Sequence, residues 1–146
     1  MLTDDDVRGL PISEFAFPGP LRDQLVAAIL DGSKTSTTAL LWEYEAEGSP
    51  LPVVGEREAV IDSDGAPVCI TEVTAVEVVP LGEVGLAHAI DEGEGYETVA
   101  AWRAGHEEFY ASDDYQAEYS ALTGGSHFAP VDTTPAVLTR FRVVAR

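Results

Sequence analysis

The chain has 146 residues, 45% of them hydrophobic, a size and composition that suit one domain with a single core. Its 26 acidic side chains outnumber eight lysines and arginines, giving a formal net charge of -18; duplex DNA and other long polyphosphates should be repelled, because basic side chains drive such binding by displacing counterions. No apolar run approaches the roughly 20 residues needed to cross a bilayer, and Met1-Leu2-Thr3-Asp4-Asp5-Asp6 is acidic where a secretory leader is basic and then apolar, so no membrane contact and a cytoplasmic location are expected.

In chain order, Leu21 to Leu30 places Leu21, Leu25, Ala28 and Ile29 on one helical face, with Pro18-Gly19-Pro20 before it and Gly32 placed to end it in a left-handed conformation. The run Ser33 to Thr38 then turns into a strand expected to carry Leu40, Leu41 and Trp42. Glu45 to Pro52 reads as a surface loop. Ala59-Val60-Ile61 and Val68-Cys69-Ile70 flank Asp62-Ser63-Asp64-Gly65, a hairpin signal. Cys69 is the sole cysteine, which rules out an intrachain disulfide and reads as a small buried hydrophobe. The second strand should continue to Val79, and its slipping alternation predicts a bulge near Glu72. A helical stretch from Glu83 to Ile90 runs into the acidic glycine loop Asp91-Glu92-Gly93-Glu94-Gly95. From Glu97 a further helix aligns Val99, Trp102, His106 and Phe109. Residues Ala111 to Pro135 read as irregular, and Ala136 to Val144 as a closing strand. Strands on both sides of helical insertions, with a bend in the longest, predict an α+β fold built as a small mixed barrel with peripheral helices.

Lys34 is the only lysine, set among hydroxyl groups in Gly32-Ser33-Lys34-Thr35-Ser36-Thr37-Thr38. An amine serves as a base only where its surroundings lower its pKa, and a threonine hydroxyl attacks a carbonyl only where a base removes its proton. Lys34 can meet Thr37 only if the chain turns between them, since residues three apart on a strand face opposite ways. A solvated or structurally ion-paired lysine is the plainer reading of the same residues. The acidic loop can supply a carboxylate to pair with Lys34. His88 and Glu92, four apart, share a helical face, but His106 and His127 have no clear register with them, so neither a metal nor any other cofactor is expected. His106 reads as a packing histidine. Trp42, Tyr44, Tyr96 and Trp102 are candidates to stack on a base, although aromatics at such spacing are more often core. Arg103 is placed to contact a phosphate, the acidic loop, or an ion-pair partner at the surface.

Taken together, Gly32-Ser33-Lys34-Thr35-Ser36-Thr37, Leu41-Trp42-Glu43-Tyr44-Glu45, Val54-Gly55, Asp64-Gly65, Glu72-Val73, Glu92-Gly93-Glu94-Gly95, Trp102-Arg103 and His106 resemble the ASCH (activating signal cointegrator homology) domain family of the PUA-like superfamily, over roughly residues 15 to 145. The resemblance implies a PUA-like β-barrel with helices and a cleft for RNA or a modified nucleoside. It further implies that the chain either removes acyl groups from cytidine nucleosides, as some small bacterial members are reported to do, or binds or cleaves single-stranded RNA. Carried over by motif, Lys34 is the base, Thr37 the nucleophile and Glu92 the carboxylate that orients Lys34. Glu94 competes for that last role, and Trp42, Tyr44, Glu94 and Arg103 are ligand contacts. The chain departs from many amidohydrolase-like members at Ala39, where they carry an arginine five residues after the motif lysine.

Overall fold

A computed structural model describes residues 2–146; Met1 lies outside the described residues. The elements are α1 (Asp4–Val7), β1 (Ile12–Ser13), α2 (Pro20–Asp31), β2 (Ser36–Leu40), α3 (Leu41–Glu47), β3 (Arg57–Ile61), β4 (Pro67–Pro80), a 3-10 turn (Leu81–Glu83), α4 (Leu86–Asp91), α5 (Val99–Tyr110), α6 (Asp113–Thr123) and β5 (Pro135–Ala145). The fold is α+β. Its five strands form one sheet in the order β1-β3-β4-β5-β2, parallel only between β1 and β3. β1 and β2 are its two edges, so hydrogen bonding does not close the sheet into the expected barrel.

The hairpin at Asp62 to Gly65 forms as its sequence predicts, with Ala59 opposite Ile70 and Val60 opposite Cys69. Register shifts between Ile70 and Thr71 and between Val73 and Ala75 bracket Glu72, where the alternation of apolar residues slips. β4 pairs with β3 from Pro67 to Glu72 and with β5 from Ile70 to Pro80, so the break lies where the strand is paired on both sides.

Four expectations require correction. Leu41 and Trp42 are not on the strand: β2 stops at Leu40, where the Glu43 carboxylate accepts the Leu40 N–H at 2.8 Å and caps a new helix, α3. That helix carries Glu45 to Glu47 out of the expected loop and ends at Gly48 in a left-handed conformation. The stretch from Ala111 to Pro135 is not irregular throughout, because Ser112 caps α6 and Asp113 and Asp114 complement its N-terminal dipole. Leu21 is 39% exposed; the buried neighbour on α2 is Arg22, whose guanidinium donates to the carbonyls of Phe15, Ala16 and Asp62.

Two apolar clusters form the interior. One gathers Leu40, Leu81, Trp102, Tyr110, Tyr115 and Leu138 under the helices; the other packs Phe15, Leu25, Ile29, Val60, Cys69 and Phe141 between α2 and the sheet. A cleft of about 830 Å³ takes its walls from both, including Phe15 and Phe141 from one side and Tyr110 and Tyr115 from the other.

Candidate functional site

Lys34 reaches the cleft wall because three backbone contacts fix its turn. Gly32 ends α2 at φ 89°, the Lys34 N–H returns to the Ala28 carbonyl at 3.0 Å, and the Thr35 N–H bonds to the Asp91 carbonyl at 2.8 Å. The last bond ties this turn to the end of α4. Gly93 allows that approach: at φ 72° it lies so close that a Cβ there would fall 2.7 Å from the backbone of Ser33 and Lys34. The acidic loop is thereby laid against the lysine turn.

Glu92 follows the last turn of α4, is 1% exposed, and is surrounded by donors from β2, α5, the Lys34 turn and α4 itself. Its Oε2 accepts the Thr38 hydroxyl at 2.8 Å and the Trp102 indole N–H at 2.7 Å, with His88 Nε2 at 3.1 Å. Its Oε1 lies 3.2 Å from His106 Nε2 and 3.9 Å from Lys34 Nζ. Because the Thr38 proton goes to Glu92, the consistent assignment puts a proton on His88 Nε2, donating to the Thr38 oxygen at 2.8 Å. Burial alone would raise the Glu92 pKa, but the bond from His106, the His88 proton that the carboxylate shares with Thr38 and the Lys34 charge outweigh it and hold the group below the ordinary glutamate range.

Lys34 is 2% exposed, and burial pulls its pKa below the usual lysine value against the opposing charges of Glu92 and Glu94. Its amine donates to the Ser36 carbonyl at 2.8 Å and the Glu92 carbonyl at 3.3 Å, with the Phe15 ring centroid at 5.7 Å. Two N–H bonds to carbonyls use both hydrogens of a neutral amine and leave its lone pair free. The same position suits an ammonium whose third hydrogen faces Glu92 Oε1. His106 would be less basic for its burial, but its bond to Glu92 raises it. Glu94 is raised, first by burial, despite the nearby lysine. Glu92 and Glu94 are thus neighbouring carboxyls driven apart, one ionised and the other holding its proton more firmly.

Of the expected catalytic residues, Lys34 and Glu92 come together, 3.9 Å apart, while Thr37 lines the same cleft, as do Tyr44 and Glu94, but makes no side-chain hydrogen bond to either among the described residues. Two expected ligand contacts do not. Trp42, on α3, packs edge-on against Tyr115 and Tyr119 and donates its indole N–H to the Tyr115 hydroxyl at 3.1 Å. Arg103 forms ion pairs at 2.9 Å with both Glu107 and Asp132. Sequence reasoning missed Thr38 and misread His106, which stacks on Trp102 with centroids 4.1 Å apart while its Nδ1 meets the Trp102 carbonyl. Its four-residue spacing from Trp102 was the available signal. Glu92, Glu94 and His106 bring ligand atoms within 4.8 Å of one another, a set able to hold a cation. Lys34 already supplies positive charge at that carboxylate.

An ASCH domain family model matches residues 14–145. An ASCH domain structure from Lactobacillus crispatus is 27% identical, covering 93% of this chain and 81% of its own, with a TM-score of 0.74. A protein structure from Enterococcus faecalis is 25% identical, covering 92% of this chain and 77% of its own, with a TM-score of 0.77. No curated protein matches the chain.

Proposed function

The chain belongs to the ASCH domain family, and from that premise we propose that it is a single-domain, PUA-like cytoplasmic protein whose cleft binds a nucleoside or short RNA-derived ligand and removes the acyl group from a modified cytidine. The observation that carries this reading is the burial of Lys34 beside Glu92, 58 residues away in sequence, in the wall of a cleft that Thr37 also lines. A lysine desolvated this far is available as a base nearer neutrality than one in water.

In the proposed reaction the Thr37 hydroxyl oxygen adds to the amide carbonyl carbon while the neutral Lys34 amine takes its proton. Collapse of the tetrahedral adduct breaks the carbon–nitrogen bond, and the departing nitrogen receives the proton from the Lys34 ammonium, which returns the amine to its neutral form. Water then loses a proton to Lys34 and adds to the threonine ester; breaking the ester bond releases a carboxylic acid and restores the hydroxyl. Glu92 orients Lys34 and balances its charge. Thr38, His88, Trp102 and His106 hold that carboxylate in place.

The test is to incubate the protein with a panel of acylated cytidines and short RNAs. Hydrolysis of an acylated cytidine is expected, with kcat lowered at least about 100-fold in Lys34→Ala and in Thr37→Ala. The rate should rise with pH through a group below the ordinary lysine range. Undiminished turnover by folded Thr37→Ala would remove the nucleophile, and failure of the intact protein to hydrolyse any compound would end both catalytic readings. RNA binding or cleavage without nucleoside hydrolysis, weakening steeply with salt, would instead establish the alternative of a single-stranded RNA module.

A further inference from the structure

The rim of the cleft carries more negative charge than the chemistry at Lys34 uses. Eight glutamates line the cleft, against two cations, Arg22 and Lys34, and His106. Arg22 is bonded to the carbonyls of Phe15, Ala16 and Asp62, with Glu14 3.7 Å away, and Lys34 faces Glu92. Glu43, Glu47, Glu56, Glu58 and Glu118 form no ion pair among the described residues. They act on one another: burial and then their mutual repulsion raise Glu43, Glu58 and Glu118. Tyr44 sits among them, its hydroxyl pushed up to about 12 by burial and by Glu43, Glu58, Glu47 and Glu56. An aromatic ring set among unpaired carboxylates attracts a positive charge through both its face and its neighbours.

A second observation points to an organic ligand. Tyr110 lines the same cleft and is 2% exposed, yet its hydroxyl has no hydrogen-bond partner among the described residues. A buried donor left unpaired is costly unless something supplies an acceptor. A bare metal ion offers none, whereas a carbonyl, ring nitrogen or sugar hydroxyl does.

We propose that the ligand of this cleft is an unphosphorylated organic cation, seated with its positive end on Tyr44 among Glu43, Glu47 and Glu58 and with an acceptor atom on the Tyr110 hydroxyl. The inference rests on the nucleoside reading for the size of the ligand and adds its charge: an ammonium-bearing nucleoside is admitted and a nucleotide is refused. Its acyl amide would then extend toward Lys34 and Thr37.

Calorimetric binding of three matched compounds tests this, each alike except at one end: cytidine, 5′-amino-5′-deoxycytidine and cytidine 5′-monophosphate. The amine should bind about tenfold more tightly than cytidine, and the monophosphate about tenfold more weakly. Glu47→Gln with Glu58→Gln should narrow both gaps, whereas Tyr110→Phe should weaken all three alike by about tenfold. Binding of the monophosphate as tight as that of the amine overturns the inference, as does a double glutamine variant with unchanged preference. If none of the three binds, the nucleoside reading falls, and charge selection is judged on N-acetylputrescine against N-acetyl-4-aminobutyrate, one acetamide carrying an ammonium and the other a carboxylate. Binding of the ammonium compound alone sustains the cation proposal; equal binding, or binding of neither, overturns it.

Discussion

Glu43, half-buried, and Glu92, fully buried, both line the cleft, but their ionisation is displaced in opposite directions. Glu43 accepts the Leu40 N–H at 2.8 Å and the Tyr115 hydroxyl at 3.1 Å, and burial still raises its pKa, with Glu118 and Glu47 adding like charge. Glu92 is the more deeply buried, yet its pKa is lowered, because two imidazoles and an ammonium oppose the same desolvation. Two neutral donors satisfy a carboxylate's lone pairs, but they do not offset the loss of water around its charge. What separates the candidate reaction centre from the rest of the acidic cleft is therefore the supply of cationic or cation-forming donors to one carboxylate. Glu43 serves as a cap that holds α3 in place; Glu92 serves as the centre on which α4, α5 and β2 converge.

The comparison breaks most completely in Glu92→Gln. Removing one partner of a buried ion pair leaves the other uncompensated, and a loss of about 3–5 kcal/mol is expected from urea denaturation at pH 7. The Glu92 pKa is lowered in the folded state, so its contribution is fully present above the unfolded glutamate value and is lost as pH falls from there through the lowered folded value. Wild type and variant should converge in stability on acidification; a gap that stays constant would show that packing, not charge, carries the effect. Gly93→Ala perturbs the same pair while deleting neither member. A Cβ 2.7 Å from the Ser33 and Lys34 backbone, at φ 72°, forces the loop away from the lysine turn, at a cost of about 1–3 kcal/mol. Glu92 should then come to resemble Glu43, with a raised pKa by carboxyl carbon chemical shift. An unshifted Glu92 resonance in that variant would mean that the glycine does not control the pairing.

The sequence made Lys34 conspicuous because it is solitary, and Gly32 and Gly93 mark the two turns that bring it to Glu92. The hairpin at Asp64-Gly65 and the slip in β4 were legible for a local reason: turn chemistry and side-chain alternation are written in adjacent residues. The role of His106 was not, since a histidine on an apolar helical face reads as core until α5 is packed against the end of α4. Thr38 was obscured by four neighbouring hydroxyl residues, and of the five it is Thr38 that the tertiary fold points at Glu92. Trp42 was misplaced through its element, because Leu40-Leu41-Trp42 continues a strand on apolar content and only the cap from Glu43 starts a helix there. Arg103 was left among three roles by sequence, and its distant partner Asp132 decides between them.

Glu43→Gln gives the smallest effect and the sharpest reversal of sign. Glutamine keeps an oxygen for the Leu40 N–H and the Tyr115 hydroxyl while removing the half-buried charge that opposes folding. A carboxyl raised on folding contributes stability that is fully present below its unfolded pKa and is lost as pH rises through the folded value. The variant should therefore match the wild type near pH 4 and exceed it by about 1 kcal/mol at pH 8. Urea midpoints at the two pH values measure the difference. Destabilisation that grows with pH would mean that the ionised Glu43 is held by a cation after all, and that the contrast with Glu92 is one of degree.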